Sequence, residues 1–307
     1  MKLDLNLLKR LLVIDHPSKN EWEMISFIIN ECYKMRDLTF EMDAYSNIFV
    51  TKNTTNPLYY PAVICHMDCV LARKNKDIRI KDGKIYGKDR LTGKRIGLGA
   101  DDANGICVAL QLLKVIPDLK VCFTTEEEVG FLGADCASEN IDFFCDVSYL
   151  IQADRRHGDD LITFTNGIYS ASDDWLEKIT GLMYKYNYKE NVGIGTDVGV
   201  LAEKLQLSGV NISCGYYNEH TDKEYTVISE LENCLNFMRD ILRTVPLDKQ
   251  YEIKVEYSPY NYNYVQKFRN YYDDDLTTVP DSNDWETWCN NCSTYDCMHC
   301  PHDVKWE

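Results

Sequence analysis

His66 and Asp68, Asp101, Glu127 and Glu128, and Asp154 share a positional habit: each stands at or just past the end of an apolar run. PAVICHMD, LKVCFTTEE and VSYLIQAD read as buried strands that close on these side chains, and Asp101 follows the glycine-rich turn GLGADD. In open α/β sheets ligands collect outside the carboxyl ends of the strands, so groups placed this way can share one crevice. One histidine and three carboxylates, completed by a second histidine at His220, form a donor set that suits zinc, with cobalt or manganese as substitutes. Taken singly, each residue has an ordinary explanation. Asp101 or Asp154 could cap a helix, Glu126-Glu127-Glu128 could be the acidic first turn of one, and His220 could lie on the surface. Their order together, each at a strand end, points to chemistry.

Such a crevice needs a sheet to hold it. GVNISCGYY reads as a fourth buried strand, and helical periodicity recurs near 101–114, 130–138, 196–204 and 227–244. The N-terminal MKLDLNLLKRLLVID keeps charges within its apolar stretch and reads as an amphipathic helix. Strands alternating with helices predict an α/β fold, a three-layer sandwich with a mostly parallel central sheet flanked by helices. It would span residues 1–245 as one catalytic domain, with 72–98 making a hairpin excursion around KDGKIYGKDR. After Pro246 the texture changes to tyrosine- and asparagine-rich sequence, an Asp273-Asp274-Asp275 run and a cysteine cluster, so 246–307 forms a C-terminal extension.

His66-Met67-Asp68, Gly99 to Gly105 (GADDANG), Thr125 to Gly130 (TEEEVG), Ala153-Asp154 and Asn218-Glu219-His220-Thr221 resemble the successive metal-site motifs of peptidase T and its aminoacylase-like relatives. Gly195-Thr196-Asp197 resembles the glycine-containing loop before their last metal histidine, and the likeness spans about residues 15–243. The resemblance implies a co-catalytic dizinc hydrolase of peptide bonds, an aminopeptidase or small-peptide hydrolase of the tripeptidase kind. It implies that His66 and Asp154 hold one zinc, that Glu128 and His220 hold the other, and that Asp101 bridges them. Asp68 would orient His66, and Glu127 would take the proton of the zinc-bridging water and pass it to the leaving amine; Glu126 is the alternative base. In the relatives an Asp at position 154 goes more often with aminopeptidases and a Glu with deacylases, which leaves hydrolysis of N-acylated amino acids as the other reading. A third is a non-catalytic partner-binding protein on the same fold. Arg155, Arg156 and His157 are placed either to meet a substrate carboxylate or to form a solvated basic loop.

Two departures stand out. Peptidase T carries a second, lid domain between the residue equivalent to Asp154 and the Gly-Thr-Asp loop, and residues 155–194 are too few to hold one. The chain therefore resembles the lidless single-domain zinc aminopeptidases in domain content, with an open site. The tail is the other departure: Cys289, Cys292, Cys297 and Cys300 form two CxxC pairs. Four thiolates would close a tetrahedral structural zinc site, with His299 or His302 as substitutes; disulfides or unliganded thiols are the alternatives, and this tail could also recruit a protein partner.

The remaining composition excludes other classes. A net charge of -16 is the wrong sign for nucleic acid or an anionic membrane surface. No apolar run approaches the roughly 20 residues of a membrane span. Of the 13 cysteines, those outside the tail are scattered through apolar segments without paired spacing. They fit core thiols in a reducing compartment, so the cytoplasm is the expected location.

Overall fold

The computed structural model describes residues 1–71 and 73–255, which build fourteen strands and eight helices. In chain order these are α1 (Leu5–Leu12), α2 (Trp22–Cys32), β1 (Leu38–Met42), β2 (Ile48–Lys52), β3 (Tyr60–His66), β4 (Lys76–Lys81), β5 (Lys84–Asp89), β6 (Arg95–Ile96), α3 (Ala100–Val115), β7 (Leu119–Thr124) and α4 (Leu132–Ala137). There follow α5 (Ile141–Phe144), β8 (Val147–Arg155), β9 (Asp160–Thr165), β10 (Ile168–Tyr169), α6 (Asp173–Tyr186), β11 (Lys189–Val192), α7 (Asp197–Leu205), β12 (Gly209–Ser213), β13 (Tyr216–Tyr217), β14 (Tyr225–Val227) and α8 (Ile228–Thr244).

The main sheet runs β1-β2-β7-β3-β8-β12-β9-β10, with β11 also on β9. Its four central strands, β7, β3, β8 and β12, are parallel, whereas β2 joins β7 and β9 joins β12 in antiparallel fashion. Strands covered on both faces read as continuous apolar runs, and β3 and β7 are buried along their whole length. Alternation then divides the core. Val63, Cys65, Val121 and Phe123 face a cluster with side chains from α1, α3, α6 and α8. Ala62, Ile64 and Cys122 face a second cluster with Phe143, Phe144, Val198 and Leu201 from α5 and α7. Each fully buried Leu, Ile, Val or Phe contributes about 1.5–3 kcal/mol, so two apolar faces fix both the layers and the register. The expected sandwich is present, parallel at its centre and antiparallel at its flanks.

The excursion at 72–98 is a hairpin, β4 and β5, closed at Asp82-Gly83 with positive φ at both residues (51° and 74°). An Asp-Gly pair suits this geometry, since the tight turn asks for left-handed backbone twice. The hairpin belongs to a second sheet, β13-β14-β5-β4, with β6 on β5. Residues 155–194 form no separate domain; β9, β10 and β11 extend the main sheet, and α6 packs on α8.

Packing continues past residue 245. Tyr251 N–H donates to Ser148 O at 2.8 Å, Ser208 N–H donates to Tyr251 O at 2.7 Å, and Ile253 N–H donates to Gln206 O at 2.9 Å. These bonds stitch the segment onto β8 and the α7–β12 turn. The cysteine cluster at Cys289, Cys292, Cys297 and Cys300 lies outside the described residues. Of the other thiols Cys136 is half-buried and Cys145 exposed, and the rest are buried; all are free. Among the described residues no helix is long and apolar enough to cross a membrane.

Candidate active site

The sheet itself brings His66 and Asp154 together. β3 and β8 pair with Ile64 opposite Gln152, so two residues further on, on the same face, His66 Nε2 and Asp154 Oδ1 stand 3.4 Å apart. Asp101 enters from the start of α3, where burial of the helix's first residues sets it over the strand ends. Its Oδ1 lies 3.0 Å from His66 Nε2 and its Oδ2 lies 3.3 Å from His220 Nε2. Glu128 Oε1 completes the far side, 2.9 Å from the same His220 nitrogen. The residues predicted as ligands thus converge as two triads, His66-Asp154-Asp101 and His220-Glu128-Asp101, that share one carboxylate.

Glu127 and Glu128 reach the cleft because the chain turns sharply after β7. Glu126 takes a left-handed backbone (φ 51°), and Gly133 tucks under the turn, where an added Cβ would lie 2.1 Å from Thr125 O. Glu127 lines the cleft, and its carboxylate has no hydrogen-bond partner among the described residues. Glu126 does not line it; its carboxylate receives the Tyr45 hydroxyl at 3.3 Å.

Asp68 sits two residues beyond the end of β3 and turns back onto His66. Its main-chain oxygen is 3.1 Å and its carboxylate 3.3 Å from His66 Nδ1. The same carboxylate accepts Glu127 N–H at 2.9 Å, Glu128 N–H at 3.2 Å and Ser18 Oγ–H at 2.7 Å. It therefore ties the histidine to the glutamate turn.

Other groups hold the site from behind, and the motifs assign none of them a role. Asp154 receives Gln152 Nε2 at 3.1 Å and Thr196 Oγ1 at 3.3 Å on Oδ2, and its main-chain N–H and C=O are both held by Asn211 at 2.9 Å. Tyr216 adds its hydroxyl at 3.2 Å to Asp154 O. Asp197 accepts the Thr124 hydroxyl on Oδ2, while its Oδ1 and Asp102 Oδ2 are buried without partners among the described residues. Arg155 and Arg156 line the cleft wall, with Arg155 on Asp160 at 3.2 Å and Arg156 on Glu219 at 3.0 Å.

The electrostatics show what this cluster lacks. Burial, reinforced by Asp101, pushes Glu128 up to about 7 and Asp154 up to about 6. Burial also raises Asp197 to about 7 and lifts Glu127 and Asp102 well above the carboxylate range. Desolvation works to lower His220, but Asp101 and Glu128 outweigh it and hold the imidazole up to about 11. His66 is raised in the same way against its burial, chiefly by Asp154 and Asp101. More carboxyl groups meet on the cleft floor than two imidazoles neutralise, a surplus that divalent cations bound by oxygen and nitrogen would answer. The ligand atoms of Asp101, Glu128 and His220 all lie within 4.8 Å of one another, as do those of His66, Asp102 and Asp154 and those of His66, Glu127 and Glu128. The donor set fits zinc.

No family model matches the sequence, and no curated protein matches it. Solved structures do match the fold. Aminopeptidase PepT from Bacillus cereus is 15% identical over 78% of this chain and 97% of that one, with a TM-score of 0.68. The chain shares its fold with solved aminopeptidases. A tripeptidase from Staphylococcus aureus is 16% identical over 78% and 98% of the two chains, with a TM-score of 0.63. The same fold also carries a structure described as an endoglucanase from Thermotoga maritima, 13% identical over 78% and 99%, with a TM-score of 0.55. Fold does not decide reaction, so function rests on the site.

Proposed function

We propose that this chain is a dizinc hydrolase of peptide bonds, an aminopeptidase or small-peptide hydrolase, read as a lidless relative of the peptidase T group. The observation that carries the reading is the pair of donor triads joined by Asp101, with the non-bonded carboxylate of Glu127 beside them. His66 and Asp154 would hold one zinc, His220 and Glu128 the other, and Asp101 both; cobalt or manganese could substitute. Bound zinc supplies Lewis acidity to a scissile carbonyl and makes water acidic enough to attack at neutral pH.

The chain's own residues do the rest. Glu127 Oε takes the proton of the attacking water and returns it to the departing amine, a role that needs a carboxylate free of other bonds and a raised pKa. Asp68 holds the His66 ring and the Glu127-Glu128 turn in one frame, so base and ligands keep their spacing. Asp at position 154, which in the resembling family goes more often with aminopeptidases than with deacylases, favours peptides with free amino termini over N-acylated amino acids. Arg155 and Arg156 on the wall would meet the carboxylate end of a short peptide in competition with Asp160 and Glu219, their partners in the structure.

The test is hydrolysis of free-amine peptides alongside their N-acylated counterparts, by the wild type and by Glu127→Gln, with metal content measured on both. Two ions per site, cleavage confined to free-amine peptides, and a loss of roughly 10²–10⁴-fold in kcat for Glu127→Gln at unchanged metal content are expected. A wild type that holds no metal at this site would overturn the enzyme reading. Cleavage confined to N-acylated substrates would make it a deacylase.

A further inference from the structure

Glu224 lies beyond the site proper, four residues after His220, and is buried. Its carboxylate accepts four successive main-chain N–H groups at the entrance to α3. Oε2 takes Leu98 N–H at 2.8 Å and Gly99 N–H at 2.7 Å, and Oε1 takes Ala100 N–H at 2.7 Å and Asp101 N–H at 3.3 Å. No other side chain among the described residues gathers so many donors of one turn. Buried Lys76 joins from the hairpin, its Nζ donating to Leu98 O at 3.3 Å. The neighbouring residues grip the same turn: Asp222 accepts Gly97 N–H at 3.0 Å, and Thr226 bonds Asn104 at 3.1 Å.

We infer that Glu224 is a positioning residue for the metal centre, one that fixes Asp101 and His220 relative to each other. The inference rests on the dizinc reading. Asp101 is the carboxylate common to both triads, and nothing in α3 alone aims it, since its own backbone departs from helical geometry (φ -85°, ψ 102°). His220 stands on a left-handed turn (φ 58°) and is more exposed than the other donors. The segment 220–224 therefore carries a ligand at one end and the clamp on the bridging ligand at the other. A shift of either moves both.

The carboxylate is needed because it is an acceptor at both oxygens. In Glu224→Gln one oxygen becomes an NH2 group facing two N–H donors, so one half of the turn loses its bonds. Groups that orient metal ligands from behind cost about 10–100-fold in metal affinity when lost. Zinc affinity measured by chelator competition on folded protein, well below its melting temperature, should fall by about that factor in Glu224→Gln, and the cobalt(II) absorption spectrum should change. Glu224→Asp keeps both acceptors on a shorter arm and should retain more of the affinity. Asp118→Asn, which alters a buried carboxylate that accepts Thr54 N–H at 2.7 Å and Thr55 N–H at 2.8 Å away from the cleft, should bind zinc as the wild type does. If Glu224→Gln does not fold, Glu224→Asp against Asp118→Asn carries the same comparison. Wild type that loads two ions, with glutamate variants of unchanged affinity and cobalt spectrum, would overturn the positioning role alone. Wild type that binds none would overturn the dizinc reading and this inference together.

Discussion

Replacing Asp68 by Asn is the sharpest probe of how this site is braced. The carboxylate is fully buried, and its two oxygens have different duties: Oδ1 accepts Glu127 N–H at 2.9 Å, and Oδ2 accepts Glu128 N–H at 3.2 Å and Ser18 Oγ–H at 2.7 Å. An amide can be oriented in two ways. With its NH2 in place of Oδ1 it opposes Glu127 N–H and also confronts His66 Nδ1, 3.3 Å from that oxygen. With its NH2 in place of Oδ2 it opposes Glu128 N–H, while the Ser18 hydroxyl can turn and accept. The second arrangement is cheaper and leaves one buried N–H unpaired, a loss of about 1–3 kcal/mol. For a domain of this size each kcal/mol lowers Tm by about 2–4 °C. Because on the proposed assignment Asp68 also orients a ligand, zinc affinity should fall by about 10–100-fold. Urea unfolding of the metal-free protein measures the first quantity, and chelator competition measures the second. Unchanged values of both in Asp68→Asn would refute the account of Asp68 as the brace between His66 and the glutamate turn.

Other expectations concern the surrounding fold. His16 is buried against Met67 O at 2.8 Å, and burial, helped by Lys76, lowers its pKa from 6.5 to about 3. The unfolded chain therefore binds a proton near pH 6.5 that the native protein does not accept until about pH 3. Stability is lost as pH falls through that window, by about 2–3 kcal/mol between pH 6.5 and 4.5; urea titrations across pH should show a shallower slope in His16→Asn. Gly133→Ala would drive a methyl against Thr125 O and N, at 2.1 and 2.6 Å. Backbone cannot yield as a flexible side chain can, so a loss of about 3 kcal/mol or more, or insoluble protein, is expected and can be read from denaturation midpoints. A chain ending at residue 255 should keep the two ions of the cleft and lose one more that the full chain holds, if Cys289, Cys292, Cys297 and Cys300 bind zinc; equal metal content in the two would refute a zinc site in the tail.

Much of the scaffold was legible because central parallel strands leave long apolar runs. Those runs ended where the donors begin, so His66, Asp101, Glu128 and Asp154 could be read as one crevice from their place at strand ends. The flanking elements were harder. α6 has a readable start, Ser172 capping Trp175 N–H with Asp173 and Asp174 in the first turn, and a left-handed Asn187 at its end. The resemblance gives it no place, because residues 155–194 stand where peptidase T carries its lid domain. Gln152 and Asn211 offered a signal of another kind, a lone amide inside an otherwise apolar strand, which a buried strand tolerates only when the amide is bonded. Glu224 offered none. Its partners lie up to 126 residues away, and an acidic residue after a surface loop looks the same whether it meets water or four N–H groups.

The division of the donors along the chain has a consequence for how the protein matures. His66, Asp101 and Asp154 are all synthesised by residue 154, whereas the second triad waits for His220 and, behind it, for the acceptor at 224. Yet Asp154 is framed by Thr196 and by Asn211 of β12, so the earlier donors also wait for late segments. On the proposed assignment neither cation finds its full set of donors in place until the chain has been made past residue 220.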